Sequence, residues 1–475
     1  MKKNISILFL FLFLFHTEKP FASDLQNIFK NVIEYKIEDG PRFLLYQRNH
    51  TSTVAFNIVY PYGATSDPKG KSGLMHVLEH MSFHGTNIVS GNYFGTYTKI
   101  GSNGPSATTA YDYISFKNVL PAPAIKAWFI LESDKMLFPL FTNFAAELEI
   151  VKKEKYFREL SHPHKEFIKN YLNFVFAGTT QNRMPVIGTS EDLNNLKQND
   201  VIDHFKKYFN PTNATISIVG KFDLANVLSL IEKYFGEIGK IDRNKLDFDE
   251  NGYPVVKEIK ELQGITFNNS PAPPLYKKEK ISDLKKINKE HIYVEKSETA
   301  PVLLLSFFRP PSEKLSIESV ALNVLAYFLN KEESSFRNAL RKNEAIKELV
   351  VSDPEPTDNK DDLFLIITFL NPGFELNFSL LEDFIINSIK TEIINNLDES
   401  FLNKIKQKMI FEFYANKSTN LEIAQMLAKS SSHFQNLKYN GEYLELIKKV
   451  TINDLNCLIK NYFSKENIFI GRLGN

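Results

Sequence analysis

With 475 residues the chain is too long for one ordinary domain and long enough for two with full cores. Its 57 Lys and Arg against 56 Asp and Glu leave a net charge of +1, which excludes the basic footprint of a nucleic-acid binder. Cys457 is the single cysteine, so no intramolecular disulfide can form; a lone thiol late in an apolar helical pattern is expected to be buried and inert.

Met1-Lys2-Lys3 is a basic start, Ile5 to Phe15 an apolar run rich in Leu and Phe, and His16 to Ser23 a polar stretch ending in small residues. This is the pattern of a secretory signal peptide, too short for a comfortable membrane span; an uncleaved anchor is the alternative. Export is the expectation, to the periplasm if the source is bacterial. Alternation then predicts strands at Tyr35–Glu38, Phe43–Tyr46 and Val54–Val59.

Gly73-Leu74-Met75-His76-Val77-Leu78-Glu79-His80-Met81 comes next. Leu74, Val77, Leu78 and Met81 follow helical spacing, which predicts an amphipathic helix. His76 and His80 are then i and i+4, one turn apart on one face, where two imidazoles can grip one zinc ion. The stretch contains H-x-x-E-H, the reversed zincin motif. Glu79 lies close to the same face, where a carboxylate can take a proton from a water held at the metal. His84 is i+4 from His80 and could be drawn into a metal cluster, but the helix is expected to end by Gly85 and leave His84 exposed.

Residues 106–119 read as a strand running from Tyr111 to Val119, followed by a helix through Trp128 to Met136. A further helix carries Glu147-Leu148-Glu149-Ile150-Val151-Lys152-Lys153-Glu154. Zinc needs another protein ligand, and a catalytic site keeps one position open. Glu147 and Glu154 are seven apart and share a helix face. Glu154 is the candidate third ligand, and Glu147 the candidate for orienting a histidine from behind. Glu149 and Glu159 are rivals for the ligand position, and Glu147 as a solvated surface residue remains open.

Asn213 to Gly220 reads as a buried strand and Leu224 to Tyr234 as a helix. Strands and helices mixed without βαβ regularity indicate α+β layers. Residues 240–290 turn rich in Lys, Asn, Asp, Pro and Gly, the composition of an interdomain linker with room for a short hairpin. The pattern restarts at His291–Val294, with a strand at Val302–Phe308 and a turn at Arg309-Pro310-Pro311. A helix then carries Leu322-Asn323-Val324-Leu325-Ala326-Tyr327-Phe328, which looks like a degenerate copy of the histidine helix with each metal-site residue replaced.

H-x-x-E-H followed by Glu147-x6-Glu154 resembles the pitrilysin/insulinase family of zinc metallopeptidases, which includes the mitochondrial processing peptidases and many bacterial relatives. The resemblance extends to Gly63-Ala64-Thr65-Ser66-Asp67, Met81-Ser82-Phe83-His84-Gly85-Thr86 and Ser106-Ala107-Thr108-Thr109 with Asp112. Glu132-Ser133-Asp134-Lys135-Met136 and Pro185-Val186-Ile187-Gly188 also match. It runs from about residue 35 to the C-terminus and is stronger in the first half. It implies an α+β protein of two homologous α/β-sandwich domains, each an antiparallel sheet with helices packed on it, the second without metal. The expected layout is signal peptide 1–23, zinc-binding peptidase domain 24–245, linker 246–290 and C-terminal homologous domain 291–475.

The resemblance further implies a zinc endopeptidase acting on short or unfolded peptides, with one zinc per chain. His76, His80 and Glu154 would be the ligands, Glu79 the general base, and Glu147 would orient a histidine from behind. Substrate would pair as a strand beside Ser106 and Ala107, and Arg341 matches an arginine that helps hold it. Relatives of this length pair as homodimers or heterodimers with a homologous chain. Two departures stand out: Glu348 replaces a tyrosine usual in the family, and Ser106 stands where relatives often have Asn. A non-catalytic peptide-binding partner of an active homologue is the rival reading, favoured by Glu348. An exported zinc-binding module is another, disfavoured by the paired glutamates.

Overall fold

The computed structural model describes residues 28–160, 164–176, 185–257, 291–297, 300–309, 315–332, 334–352, 363–374, 376–434, 436–464 and 467–474. The signal-like segment, residues 258–290 of the expected linker, and Pro310-Pro311 lie outside the described residues. No described helix is long and apolar enough to cross a membrane.

The first half contains β1 (Ile33–Lys36), β2 (Arg42–Gln47), β3 (Thr53–Tyr60), helix α1 (Leu74–Met81) and the short pair β4 (Gly85–Thr86) and β5 (Val89–Ser90). Then come α2 (Tyr93–Lys99), β6 (Ser106–Thr109), β7 (Ile114–Pro121), α3 (Ile125–Leu137), α4 (Phe144–Leu160) and α5 (Lys165–Val175). It ends with α6 (Ser190–Asn195), α7 (Gln198–Tyr208), β8 (Thr215–Gly220), α8 (Leu224–Phe235) and the hairpin of β9 (Asp247–Phe248) and β10 (Pro254–Val255). Its six-stranded sheet has the order β1-β2-β8-β3-β7-β6, antiparallel except for the β2–β8 pair.

The second half contains β11 (Ile292–Glu295), β12 (Val302–Phe308), α9 (Ile317–Leu329), α10 (Ser335–Arg341), β13 (Ile346–Ser352) and β14 (Leu363–Leu370). It closes with α11 (Phe378–Thr391), α12 (Glu399–Ala415), α13 (Asn420–Phe434), α14 (Tyr439–Lys449), α15 (Ile452–Tyr462) and β15 (Phe469–Leu473). Its sheet order is β11-β15-β12-β14-β13, again antiparallel except for one pair, β11–β15. This order repeats β2-β8-β3-β7-β6 of the first sheet strand for strand, including the place of the parallel pair. The fold is two copies of one α+β layered unit. In the second copy α9 follows β12 as α1 follows β3, and the sequence alignment sets Asn323, Ala326 and Tyr327 against His76, Glu79 and His80.

The central strands are apolar on both faces: β8 and β12 are buried throughout, and β3 in all but its first residue. A strand covered on both sides reads as a continuous apolar run rather than an alternating one. One face of the first sheet packs on α1, α3, α7 and α8 through Phe43, Phe56, Phe116 and Ile218. The other carries Leu44, Ala55 and Val219, which join the core of the second half beside Ile423, Ala424 and Leu427 of α13. Conversely, Val302, Leu304 and Phe308 of the second sheet pack against Phe167, Tyr171 and Val175 of α5. Each half therefore lends one helix to the sheet of the other.

Three features depart from the sequence expectation. Residues 106–121 form a hairpin rather than one strand from Tyr111, because the Ala110 N–H turns back to the Tyr113 carbonyl at 2.8 Å. Cys457 is exposed: α15 buries Leu455, Leu458 and Ile459, and Cys457 falls on the opposite face. Helices α2, α5, α6 and α7 add layers that the sequence reading did not mark, although α5 and α7 bury apolar residues at helical spacing.

The loan of α5 is testable at Tyr171. Its hydroxyl is buried, 2.7 Å from Ser306 Oγ and 2.9 Å from the Phe469 carbonyl. Tyr171→Phe leaves both partners buried without it and should lower stability by about 1–3 kcal/mol. The check is a lower urea midpoint at unchanged slope; an unmoved midpoint would show that this tie contributes nothing.

Candidate metal centre

Helix α1 buries Leu74, Met75, Val77, Leu78 and Met81 almost completely, which commits one flank of the helix to the core. Its start is fixed from two directions. The Asp67 carboxylate accepts the Gly73 and Met75 N–H groups, each at 2.8 Å, so two of the helix's orphan donors are satisfied. The Asp192 carboxylate accepts the Ser72 N–H at 3.1 Å. Gly73 has φ +89°, and a Cβ there would lie 2.8 Å from the Ile187 carbonyl, so the loop of Pro185–Gly188 can lie directly on the helix start.

The segment Gly63–Asp67 joins this helix to the β6–β7 hairpin. Ala64 and Thr65 donate their N–H groups to the Ala110 and Tyr111 carbonyls, both at 2.9 Å. A Cβ on Gly63 would lie 2.2 Å from the Ala110 carbonyl oxygen, so only glycine permits that approach. One end of the segment thus grips the hairpin turn, and the other, Asp67, grips α1.

On the free flank of α1, His76 and His80 stand with ring centroids 4.8 Å apart. Glu154 of α4 reaches them: its Oε2 lies 3.7 Å from His76 Nε2 and 3.3 Å from His80 Nε2. The other oxygen of Glu154 is ion-paired with Arg158 one turn on. Among the described residues this is the one group whose donor atoms converge, all within 4.8 Å of one another. Donors on a tetrahedral zinc at 2.0–2.1 Å sit about 3.3 Å apart, so the set fits that ion. Two imidazoles and one carboxylate are the donor types of a catalytic zinc site that keeps a fourth position open.

The electrostatics of His76 agree with ligation. Burial, and then the neighbouring charges of His80 and Arg158, push His76 down to about 3, which keeps its ring neutral and its lone pair available. Burial opposes charge on His80 too, but the hydrogen bond it donates to Glu147 and the charges of Glu147, Glu154 and Glu79 outweigh it and raise its pKa. His80 Nδ1 is 2.8 Å from Glu147 Oε1, which leaves Nε2 free to face Glu154. Glu147 is pulled down to about 2 by its bonds with His80 and His84. Burial raises Glu79, although the Thr109 hydroxyl, which donates to its Oε2, works against the shift.

The structure therefore brings together His76, His80, Glu154, Glu147 and Glu79 from two helices. Of the rivals, Glu149 is exposed and paired with Lys152 at 2.8 Å, and the side chain of Glu159 lies outside the described residues. Ser106 and Ala107 stand on β6, the edge strand of the first sheet, whose last residue is Thr109. Arg341 is elsewhere, on α10, its guanidinium paired with Glu332 and 3.4 Å from Asn338. Glu348 is on β13 beside a register shift, its charge acting on Arg337.

Sequence reasoning missed three members of the site. Arg158 and Thr109 had no motif signal of their own role, although Thr109 closes one of the matching stretches. His84 was expected to be exposed; instead its side chain is 16% accessible, with Nε2 2.8 Å from Glu147 Oε2. The helix does end before it, but the chain turns His84 back beneath α4.

The sequence matches two family descriptions: "Insulinase (Peptidase family M16)" over residues 42–190 and "Peptidase M16 inactive domain" over residues 195–409. A zinc protease, PqqE, of Helicobacter pylori is 23% identical over 215 residues, 45% of this chain and 47% of the relative. An uncharacterized zinc protease of Rickettsia bellii is 26% identical over 219 residues, 43% of this chain and 49% of the relative. The matched stretch thus spans about half the length of these curated relatives. The crystal structure of a protease from Helicobacter pylori shares the fold, with a TM-score of 0.75 at 19% identity over 94% of this chain and 99% of that one. From the motif helix, the repeated unit and these matches together, the chain belongs to the pitrilysin/insulinase-type peptidase family.

Proposed function

We propose that this chain is a zinc-dependent endopeptidase that hydrolyses short or unfolded peptides. The observation that carries the reading is the convergence of His76, His80 and Glu154, with Glu79 held beside them by Thr109 at the end of an edge strand. A zinc ion held by those three side chains would polarise a carbonyl and lower the pKa of a water toward neutrality.

The protein's own groups do the rest. Glu79, raised by burial, is suited to take a proton from the attacking water on a carboxylate oxygen and later to give it to the leaving amine. Thr109 donates to one oxygen of Glu79 and so fixes which oxygen stays available. The peptide would add to β6 by strand pairing beside Ser106 and Ala107. In the β6–β7 register Thr109 is opposite Ile114 and Ala107 opposite Phe116, so Ala107 and Thr109 share the face that meets α1. A peptide extended along β6 would then run past Glu79. Backbone pairing is largely blind to sequence, which suits varied substrates. For Arg341 the substrate-holding role follows the resemblance, its supporting feature being an exposed guanidinium. Export and pairing with a second copy or a homologous chain belong to the same proposal and rest on the sequence alone.

Glu79→Gln keeps the shape of the side chain and removes its basicity. It should reduce cleavage of a quenched peptide library by at least about 10²-fold, while zinc measured by atomic absorption stays at one equivalent. Turnover by the pure variant at the wild-type rate would sink this mechanism.

Chelation gives a second test. Removing the metal should abolish cleavage, and adding Zn2+ back should restore it. Glu154→Ala should leave the two histidines with too few donors and reduce zinc content well below one equivalent after dialysis. Full zinc occupancy in that variant would remove Glu154 from the ligand set.

A further inference from the structure

We propose that His84 is a positioning residue of the metal centre: it holds Glu147, which in turn holds His80. This inference rests on the zinc-site reading above and deepens it. Glu147 reaches the cluster from the first turn of α4 on a side chain with three rotatable bonds. Its two oxygens are used by two different imidazoles, Oε1 by His80 Nδ1 and Oε2 by His84 Nε2, each at 2.8 Å. An ionised carboxylate only accepts, so both imidazoles must present N–H groups to it. In the neutral ring that choice places His80's lone pair on Nε2, the nitrogen that faces Glu154.

One hydrogen bond lets a carboxylate pivot about the shared axis; two bonds, one to each oxygen, fix its plane. His84 supplies the second from a firm backbone. Its N–H bonds the Met81 carbonyl at 3.2 Å, and the adjoining Gly85 carbonyl accepts the Leu140 N–H at 3.0 Å. Strand β4 begins at Gly85 and pairs with β5.

The support is one-sided. His76 Nδ1 is buried with no hydrogen-bond partner among the described residues. Metal-ligating histidines nearly always have the second nitrogen tied, and the partners that tie them affect metal affinity strongly. Here the tie exists for His80 alone, so the orientation of the donor set depends on the branch that ends at His84. His84 does not join the ligand set, because its near nitrogen is occupied by Glu147.

The test is the zinc dissociation constant of the full-length protein, measured by titrating Zn2+ against a chromophoric chelator. Loss of a direct partner of a ligand typically costs about 10–100-fold in affinity, so a residue one step further out should cost about 3–10-fold. His84→Leu should therefore weaken zinc by that factor, and His84→Asn, too short to reach Glu147, should do the same. His84→Gln places an amide N–H near the lost Nε2 and should stay within about twofold of wild type. In a Glu147→Ala background His84→Leu should add nothing. Melting curves of each apo variant establish that it is folded. Wild-type affinity in both His84→Leu and His84→Asn, or an equal loss with and without Glu147, overturns the positioning role. If the wild type takes up no zinc, or His76→Ala keeps it, the zinc-site reading itself fails.

Discussion

Two sheets whose central strands are apolar on both faces impose the main constraint on this molecule. Each half, folded alone on its own helices, would leave one sheet face bare. The chain meets the constraint by reciprocal loan: α5 crosses to the second sheet and α13 to the first. Side chains at alternate positions of β12 show the division. Leu303, Leu305 and Phe307 face the helices of their own half, while Val302, Leu304 and Phe308 face α5. At 25 cal/mol per Å2 of apolar surface, leaving such faces in water would be prohibitive for a marginally stable protein. Polar ties across the joint follow the same logic: Arg48 reaches Asn420 Oδ1 at 2.9 Å, and Ser217 Oγ donates to the Ala424 carbonyl at 2.6 Å.

The candidate metal centre inherits its rigidity from this packing. Helix α1 is only eight residues long, too short to be stable by itself. Its buried flank, the Asp67 and Asp192 carboxylates at its start and the Gly63–Asp67 segment bind it to the sheet and the hairpin. The result is a short helix with no freedom to rotate, which is what two histidines one turn apart need if both are to face one ion. Three carboxylates, Glu79, Glu147 and Glu154, share this corner with three histidines and Arg158. Like charges so close would repel unless each had its own counter-group. Glu147 has two imidazoles, Glu154 has Arg158 and the histidine edges, and Glu79 has the Thr109 hydroxyl.

The duplicated unit shows what the centre replaced or lost. In the sequence alignment of α9 with α1 the three places fall on Asn323, Ala326 and Tyr327, and α9 is the longer helix, 13 residues against 8. It packs against α12, α14 and α15. Lys331 lies over the Tyr327 ring, 3.9 Å from its centroid, and pairs with Glu412 at 3.1 Å. At the end of this helix a cation and an aromatic ring stand together, with no histidine among its residues.

The sequence by itself determined the chemistry-bearing helices. Periods of four and seven residues within one helix fix which side chains share a face, so His76 with His80 and Glu147 with Glu154 could be grouped from spacing alone. The restart of strands and a helix after residue 290 suggested a second unit, and the family resemblance implied that it copies the first; the two sheet orders show it. Tertiary structure decided everything that depends on contacts distant in the chain. His84 lies beyond the end of its helix, where periodicity says nothing, and only the packing of α4 over that turn gives it Glu147. Thr109 meets Glu79 across a sheet edge, and the hairpin that brings it there turns because a segment some forty residues earlier grips its carbonyls. Cys457 follows an apolar pattern, yet lies outside because α15 uses a narrower buried stripe than its composition suggests. The exchange of α5 and α13 has no local signature at all, since an amphipathic helix does not encode which sheet it will cover.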